Sequence, residues 1–199
     1  MAKKANYRVQ LRRRREGKTD YQARKGMVIS RKLRLVTRGS LNNATVQIIQ
    51  AKPEGDFVLV AASSKQLSKQ FGWKAPTGNI SAAYLTGLLC GLKAKKENIT
   101  EAILDIGLVS PTKGARIFAM LNGVIDAGID VPHSEEKLVK ERIKGEHIAK
   151  YAKELGIGSE EYNQKFAAYL KAGVTPEKLP EHFTEVKANI ITSFKGEKK

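Results

Sequence analysis

Arg12-Arg13-Arg14-Arg15 is the first constellation in this chain that could do chemistry, and the chemistry is the holding of phosphates. A guanidinium is a planar fork that meets a phosphate through two parallel hydrogen bonds and stacks on flat rings. Around the run stand Lys3, Lys4, Arg8, Lys18, Arg24, Lys25, Arg31, Lys32, Arg34 and Arg38, against only Glu16 and Asp20. The first forty residues therefore carry +12 of a total of +16, while residues 41–132 and 133–199 carry +2 each. Most charge runs are solvated tails. This one is single-signed, rich in arginine and threaded with Tyr7, Val9, Leu11, Tyr21, Met27, Val28 and Ile29. A tail that only has to stay dissolved does not need those apolar groups. A basic stretch with interleaved aromatics points to a nucleic acid.

Catalytic patterns are missing from the sequence. His133, His147 and His182 stand far apart, and none has metal-ligand spacing to another histidine or to Cys90. Gly156-Ile157-Gly158 follows a helical pattern and lacks a third glycine, so it reads as a turn between helices. Asp105, Asp126 and Asp130 could be drawn as an acidic metal set, but isolated aspartates at element ends are usually caps or turn residues. The stretch Ser110-Pro111-Thr112-Lys113-Gly114, with Arg116, could offer backbone amides and Lys113 to a phosphate. The plainer reading is a capped helix with two surface charges. Trp73 is read as a packing residue under its loop in preference to a base-stacking platform. No catalytic residue, metal or cofactor is expected.

The apolar fraction of 41% and the length of 199 residues suit one domain with a core plus extensions. The lone Cys90 excludes an internal disulfide and sits in an apolar helical pattern, where a buried thiol is expected. The N-terminus has no apolar stretch of the signal-peptide kind, and no window approaches 18 consecutive apolar residues, so no membrane partner is expected.

The elements that must present these residues follow from period and punctuation. Residues 3–17 read as an extended arm that orders on its ligand. Thr19 is a candidate cap, with Asp20 in the first turn of a helix over 20–32. Strands are expected over 33–37, 45–51 and 57–62, with turns at 38–43 and 53–55. Arg34, between Leu33 and Leu35, falls on the face opposite that apolar pair. Helices follow over 64–70 and from Asn79, with Ala82, Leu85, Leu88, Leu89 and Leu92 on one stripe and Gly87 and Gly91 on another side, open to a close neighbour. A short strand covers 102–106. Ser110-Pro111 would open a helix that turns Ile117, Leu121, Val124 and Ile125 inward. Later helices span 138–155, interrupted at Gly145, then a segment from Ser159 to Gly173 with Tyr162, Phe166, Tyr169 and Leu170 as its stripe, and a short last element from Thr175-Pro176. The class is α/β in the broad sense: a small mixed sheet, antiparallel at its start, with helices packed on it. Residues 1–32 form the basic extension, 33–132 the α/β core and 133–199 a helical extension.

Several motifs carry a resemblance. Arg12-Arg13-Arg14-Arg15-Glu16-Gly17-Lys18-Thr19-Asp20-Tyr21 with Arg24-Lys25, Leu33-Arg34-Leu35-Val36, Gly72-Trp73-Lys74-Ala75-Pro76-Thr77-Gly78-Asn79 and Ala83-Tyr84-Leu85-Thr86-Gly87 occur in order. They continue as Leu104-Asp105-Ile106-Gly107-Leu108 with Ser110-Pro111, Ile125-Asp126-Ala127-Gly128-Ile129-Asp130-Val131-Pro132-His133, and Gly145-Glu146-His147-Ile148-Ala149. Over roughly residues 7–155 the chain resembles the archaeal form of the 5S rRNA-binding ribosomal protein numbered eighteen in the large subunit, and five in eukaryotes. The resemblance implies a small sheet flanked by helices, and a place in the central protuberance. It also implies 5S rRNA, the large 23S-type rRNA and neighbouring 5S-associated ribosomal proteins as partners, with no small-molecule substrate. The loop around Trp73 and Lys74 would then serve both the fold and the RNA-facing surface.

On this reading Arg12, Arg13, Arg14, Arg15 and Lys18 neutralise phosphates, and Tyr7 and Tyr21 stack on bases or riboses. Lys3, Lys4 and Arg8 extend the arm. Arg24, Lys25, Arg31, Lys32, Arg34 and Arg38 carry the contact onto the body, with Lys74 and Lys113 as outlying contacts. Folded RNA is read mostly by shape and 2′-hydroxyls, so specificity would come from how the arm is placed. Neutralising six to ten phosphates would make affinity fall about 10³–10⁵-fold between about 50 and 200 mM salt. Two rival classes are a nucleic-acid-processing enzyme anchored by a basic arm and a scaffold that binds partners through its C-terminal helices.

Overall fold

A computed structural model describes residues 8–195; Lys3, Lys4 and Tyr7 lie outside the described residues. The basic segment holds α1 (Arg12–Arg15) and α2 (Tyr21–Ile29). A meander follows: β1 (Arg34–Gly39), β2 (Ala44–Lys52) and β3 (Gly55–Ser63). Next come α3 (Ser64–Gln70), α4 (Ile80–Lys96), β4 (Ile103–Asp105) and α5 (Arg116–Asp126). The C-terminal part holds α6 (Glu146–Leu155), α7 (Glu160–Lys165), α8 (Ala167–Lys171) and α9 (Leu179–Lys195).

The sheet order is β3-β2-β1-β4. The first three strands are antiparallel, and β4 joins β1 in parallel after the α3–α4 crossover. The mixed sheet with packed helices is thus the class read from the sequence. One face follows the period of two: Leu35, Val46, Ile48 and Ala62 are 0–2% exposed and lie under the helices. Trp73 joins them at 2%, as a packing residue. The core is continuous from β1 through α4 and α5 to α9, where Leu179, Phe183, Val186 and Ile190 are buried.

Local chemistry explains most boundaries. Ser63 and Gln66 close a capping box on α3, and the Asn79 side chain accepts from Ala82 N at 2.7 Å to start α4. Ser159 accepts from Tyr162 N at 3.2 Å to start α7. Five expectations shift. Arg12–Arg15 form one helical turn instead of extended chain. Asp20, one residue after Thr19, caps α2, accepting from Gln22 N and Ala23 N. Helix α5 starts at Arg116 after an uncapped Ala115, five residues beyond Pro111. Residues 138–144 hold only short 3₁₀ turning, and Gly145, at φ 82°, begins α6. The last element is a 17-residue helix, because its apolar face finds α4 to cover.

Cys90 is fully buried in α4, and desolvation pushes its thiol up to about 12. At pH 8 a thiol reagent is therefore expected to leave Cys90 unlabelled in the folded protein and to label it fully in denaturant. Rapid labelling under native conditions, followed by mass spectrometry, would contradict that burial.

Candidate nucleic-acid interface

In a helical turn successive side chains project about 100° apart. The single turn α1 therefore fans its four arginines around the chain instead of alternating them between two sides. All four are exposed. Arg13 Nε donates to Thr19 Oγ1 at 2.9 Å, which ties the turn to the start of α2. Glu16 faces Arg12 at 3.4 Å and Lys18 at 2.9 Å. Arg14 and Arg15 have no ion-pair partner among the described residues. One carboxylate thus sits among five cations, and the turn remains strongly positive. Arg8 and Lys25 are exposed as well.

Helix α2 lies over the sheet face that the other helices leave open. Tyr21, Arg24 and Met27, three residues apart, are its half-buried side. Arg24 forms a two-pronged pair with Asp56 of β3: Nη1 to Oδ2 at 2.9 Å and Nη2 to Oδ1 at 2.7 Å. Asp56 Oδ2 also lies 2.7 Å from Arg34 Nη2. Arg34 Nη1 donates to Asp105 Oδ2 at 2.9 Å, and Asp105 Oδ1 accepts from Arg38 Nη2 at 2.9 Å. Arg38 Nη1 further donates to the carbonyls of Asp105 and Thr37. The result is a ladder of alternating sign: Arg24, Asp56, Arg34, Asp105, Arg38. The hydrogen bond from Arg24 is the main cause holding the Asp56 carboxyl below its ordinary value of 3.8, with Arg34 adding to it. The same bond raises the Arg24 guanidinium. A cavity of about 300 Å³ opens beside the ladder, lined in part by Arg13, Lys18, Met27, Val36 and Gly107.

These placements sort the sequence-derived set. Arg12, Arg13, Arg14, Arg15, Lys18, Arg8 and Lys25 share one exposed segment. Arg34 is the correction: it lies on the face opposite the apolar pair, as expected, but it is only 2% exposed and is paired with Asp56 and Asp105. A phosphate cannot reach it in this conformation. Arg38 keeps a 44% exposed side chain while bound to Asp105, and Lys32 pairs with Glu101 at 3.1 Å. Arg31 is exposed at a left-handed φ of 56°. Lys74 and Lys113 are exposed but belong to other loops. Lys113 precedes the start of α5, and Arg116 Nη1 spends itself on the carbonyls of Ser40 and Gly78 at 2.8 and 2.9 Å.

The possible catalytic residues disperse. Asp105 belongs to the ladder, and Asp126 Oδ2 accepts from the Tyr84 hydroxyl at 2.5 Å. His182 stacks on Trp73 with centroids 5.1 Å apart and accepts from Lys74 N. Among the described residues no group of three His, Cys, Asp or Glu could hold a metal, and no helix is long and apolar enough to cross a membrane. Sequence reasoning missed Asp56 and the structural use of Asp105. A signal existed for Asp105, a carboxylate at the end of an apolar strand run, where burial demands a cation; Asp56, exposed beside a turn, carried none.

Comparison with known proteins bears on the same residues. The family described as ribosomal large subunit proteins 60S L5 and 50S L18 matches residues 5–100 and 93–134. The large ribosomal subunit protein uL18 of Methanococcus maripaludis is 50% identical over 192 residues, covering 96% of this chain and 99% of that protein.

Proposed function

Because the chain belongs to the family of large-subunit ribosomal proteins 60S L5 and 50S L18, we propose that its basic segment grips 5S rRNA, touches the large rRNA and helps anchor 5S rRNA in the central protuberance. Membership makes it a structural protein of the large ribosomal subunit, with ribosomal RNA and ribosomal proteins as its partners, and not an enzyme. The observation that carries the finer reading is the exposed arginine turn mounted on the open face of the sheet. Four guanidiniums in one turn can meet phosphates on more than one strand of a folded RNA. The body beneath is nearly neutral, and the turn is tied to it through Arg13 to Thr19 and through Arg24 to Asp56, a defined placement of the kind that recognition by shape requires. Neighbouring 5S-associated ribosomal proteins are proposed to meet the C-terminal helices, where Ile157 and Leu170 stay exposed.

The test compares 5S rRNA with an unrelated folded RNA of equal length across a salt series. It uses the full chain and a variant in which Arg12, Arg13, Arg14, Arg15 and Lys18 become Gln. The expected result is a clear preference for 5S rRNA in the natural chain. In the variant the preference collapses and the log–log salt slope falls by about 4. Equal affinity for both RNAs would reduce the segment to a general polyanion binder. Preference that survives the substitutions would move recognition onto the sheet and loops. Deleting residues 156–199 is not a clean probe of the protein partners, because α9 belongs to the core.

A further inference from the structure

Helix α2 has nine residues and none of them is buried. A helix of that length is marginal in water by itself. Apolar burial therefore supplies little of what keeps it on the sheet. Its ion pair to the body is the two-pronged contact between Arg24 and Asp56, whose side chains are 34% and 29% exposed. Asp56 is in turn held by Arg34, and Arg34 is buried and bonded to Asp105, itself only 6% exposed at the side chain. Asp105 also accepts from Gly107 N at 2.9 Å, which fixes it to its own loop. Rigidity thus passes from the core outward: Asp105 fixes Arg34, Arg34 fixes Asp56, and Asp56 fixes Arg24.

We propose that Asp56 is a positioning residue for RNA binding: its carboxylate, oriented by buried Arg34, docks α2 through Arg24 and so aims the arginine turn, while Arg24 serves the protein and not a phosphate. This rests on the reading that the arginine turn binds 5S rRNA. It reverses the simple electrostatic expectation. Removing a carboxylate from a basic interface should strengthen binding to a polyanion by charge alone. Here the loss frees the helix that presents the cations, and ordering it again costs affinity.

Four proteins decide the matter: the natural chain, Arg24→Gln, Asp56→Asn and the double variant. Hydrogen exchange of the amides of residues 21–29 is measured without RNA, and affinity for 5S rRNA at fixed salt. Asp56→Asn is expected to speed exchange of α2 selectively and to weaken binding about tenfold, the size of one charge-assisted contact. Arg24→Gln should do the same, and the double variant should be no worse than either single one. Asp56→Glu, which keeps the charge, should restore part of the affinity; a role in general stability alone would show instead as faster exchange throughout the sheet. Unchanged or tighter binding by Asp56→Asn overturns the proposal. So do additive losses from the two single changes, which would mean that Arg24 touches RNA itself. If the natural chain shows no preference for 5S rRNA, the functional reading fails separately, and the exchange of α2 in Asp56→Asn still decides the docking role: unchanged exchange sinks it.

Discussion

Gly87→Ala is expected to destabilise the protein by about 3 kcal/mol, the upper end of the usual cost of overpacking, although alanine is the better helix former. Gly87 lies where α4 crosses α5. A Cβ there would stand 2.0 Å from the Met120 carbonyl oxygen. The same crossing brings Gly123 against Tyr84 O, at 2.2 Å from a built Cβ, and Gly91 against Ala127 Cβ at 2.5 Å. All three contacts tie one helix to the other at one seam, and the first two are with backbone, which cannot swing aside as a side chain does. The helices would have to separate, opening voids along the seam between Tyr84, Leu88, Met120 and Val124. The gain in helix propensity, about 1 kcal/mol, does not offset that. The melting temperature should drop by about 6–12 °C. Gly26→Ala supplies the control: Gly26 has no atom within 4 Å of its Cβ position and lies inside α2. There the propensity gain should stand alone, stabilising by about 0.5–1 kcal/mol. Equal melting temperatures for the two variants would show that the seam is looser than described.

Asp105→Asn is expected to cost about 3 kcal/mol, the lower end of what breaking a buried pair costs, because Arg34 retains Asp56 at 2.7 Å. The carboxylate of Asp105 accepts from Arg34, Arg38 and Gly107 N at once. An amide offers one acceptor oxygen and turns an NH₂ group toward guanidiniums that only donate. Arg34, 2% exposed, is left as a buried charge with half its counter-charge removed. The reciprocal change behaves differently. Arg34→Met withdraws the buried cation itself, and each carboxylate keeps a guanidinium: Asp56 keeps Arg24, and Asp105 keeps Arg38. Its cost should be less than half that of Asp105→Asn. Urea unfolding of both variants checks the order, with unchanged slopes showing that only stability has moved. A larger loss from Arg34→Met would mean that the arginine stem, and not charge balance, holds this face together.

Much of the architecture was legible because it obeys local rules. The helix over 64–70 coincides with α3, where Ser63 and Gln66 make a complete cap three residues apart. Asn79 was read as a cap and is one. Val46 and Ile48 share the covered face because strand side chains alternate. Gly87 and Gly91 were placed on a side of their own helix, and that side meets α5. Where local rules offered two neighbours, they erred by a residue or more: Thr19 and Asp20 can each cap a helix, and only the hydrogen bonds to Gln22 N and Ala23 N choose Asp20.

Of the interface, the sequence by itself determined the amount of positive charge and its confinement to one end, because charge is a sum over residues and needs no partner. It also determined the family, through ordered motifs spread over most of the chain. The tertiary structure alone decided which cations are free. Arg14 and Arg34 are the same residue type in the same basic run, yet one is exposed and the other is enclosed between Asp56 and Asp105. The bond from Arg34 to Asp105 spans 71 positions and that from Arg24 to Asp56 spans 32. A carboxylate that far along the chain has no local signature of its partner. It becomes a counter-ion only when β3, β2, β1 and β4 are assembled into one sheet, and the hydrogen-bonded register of the strands does that.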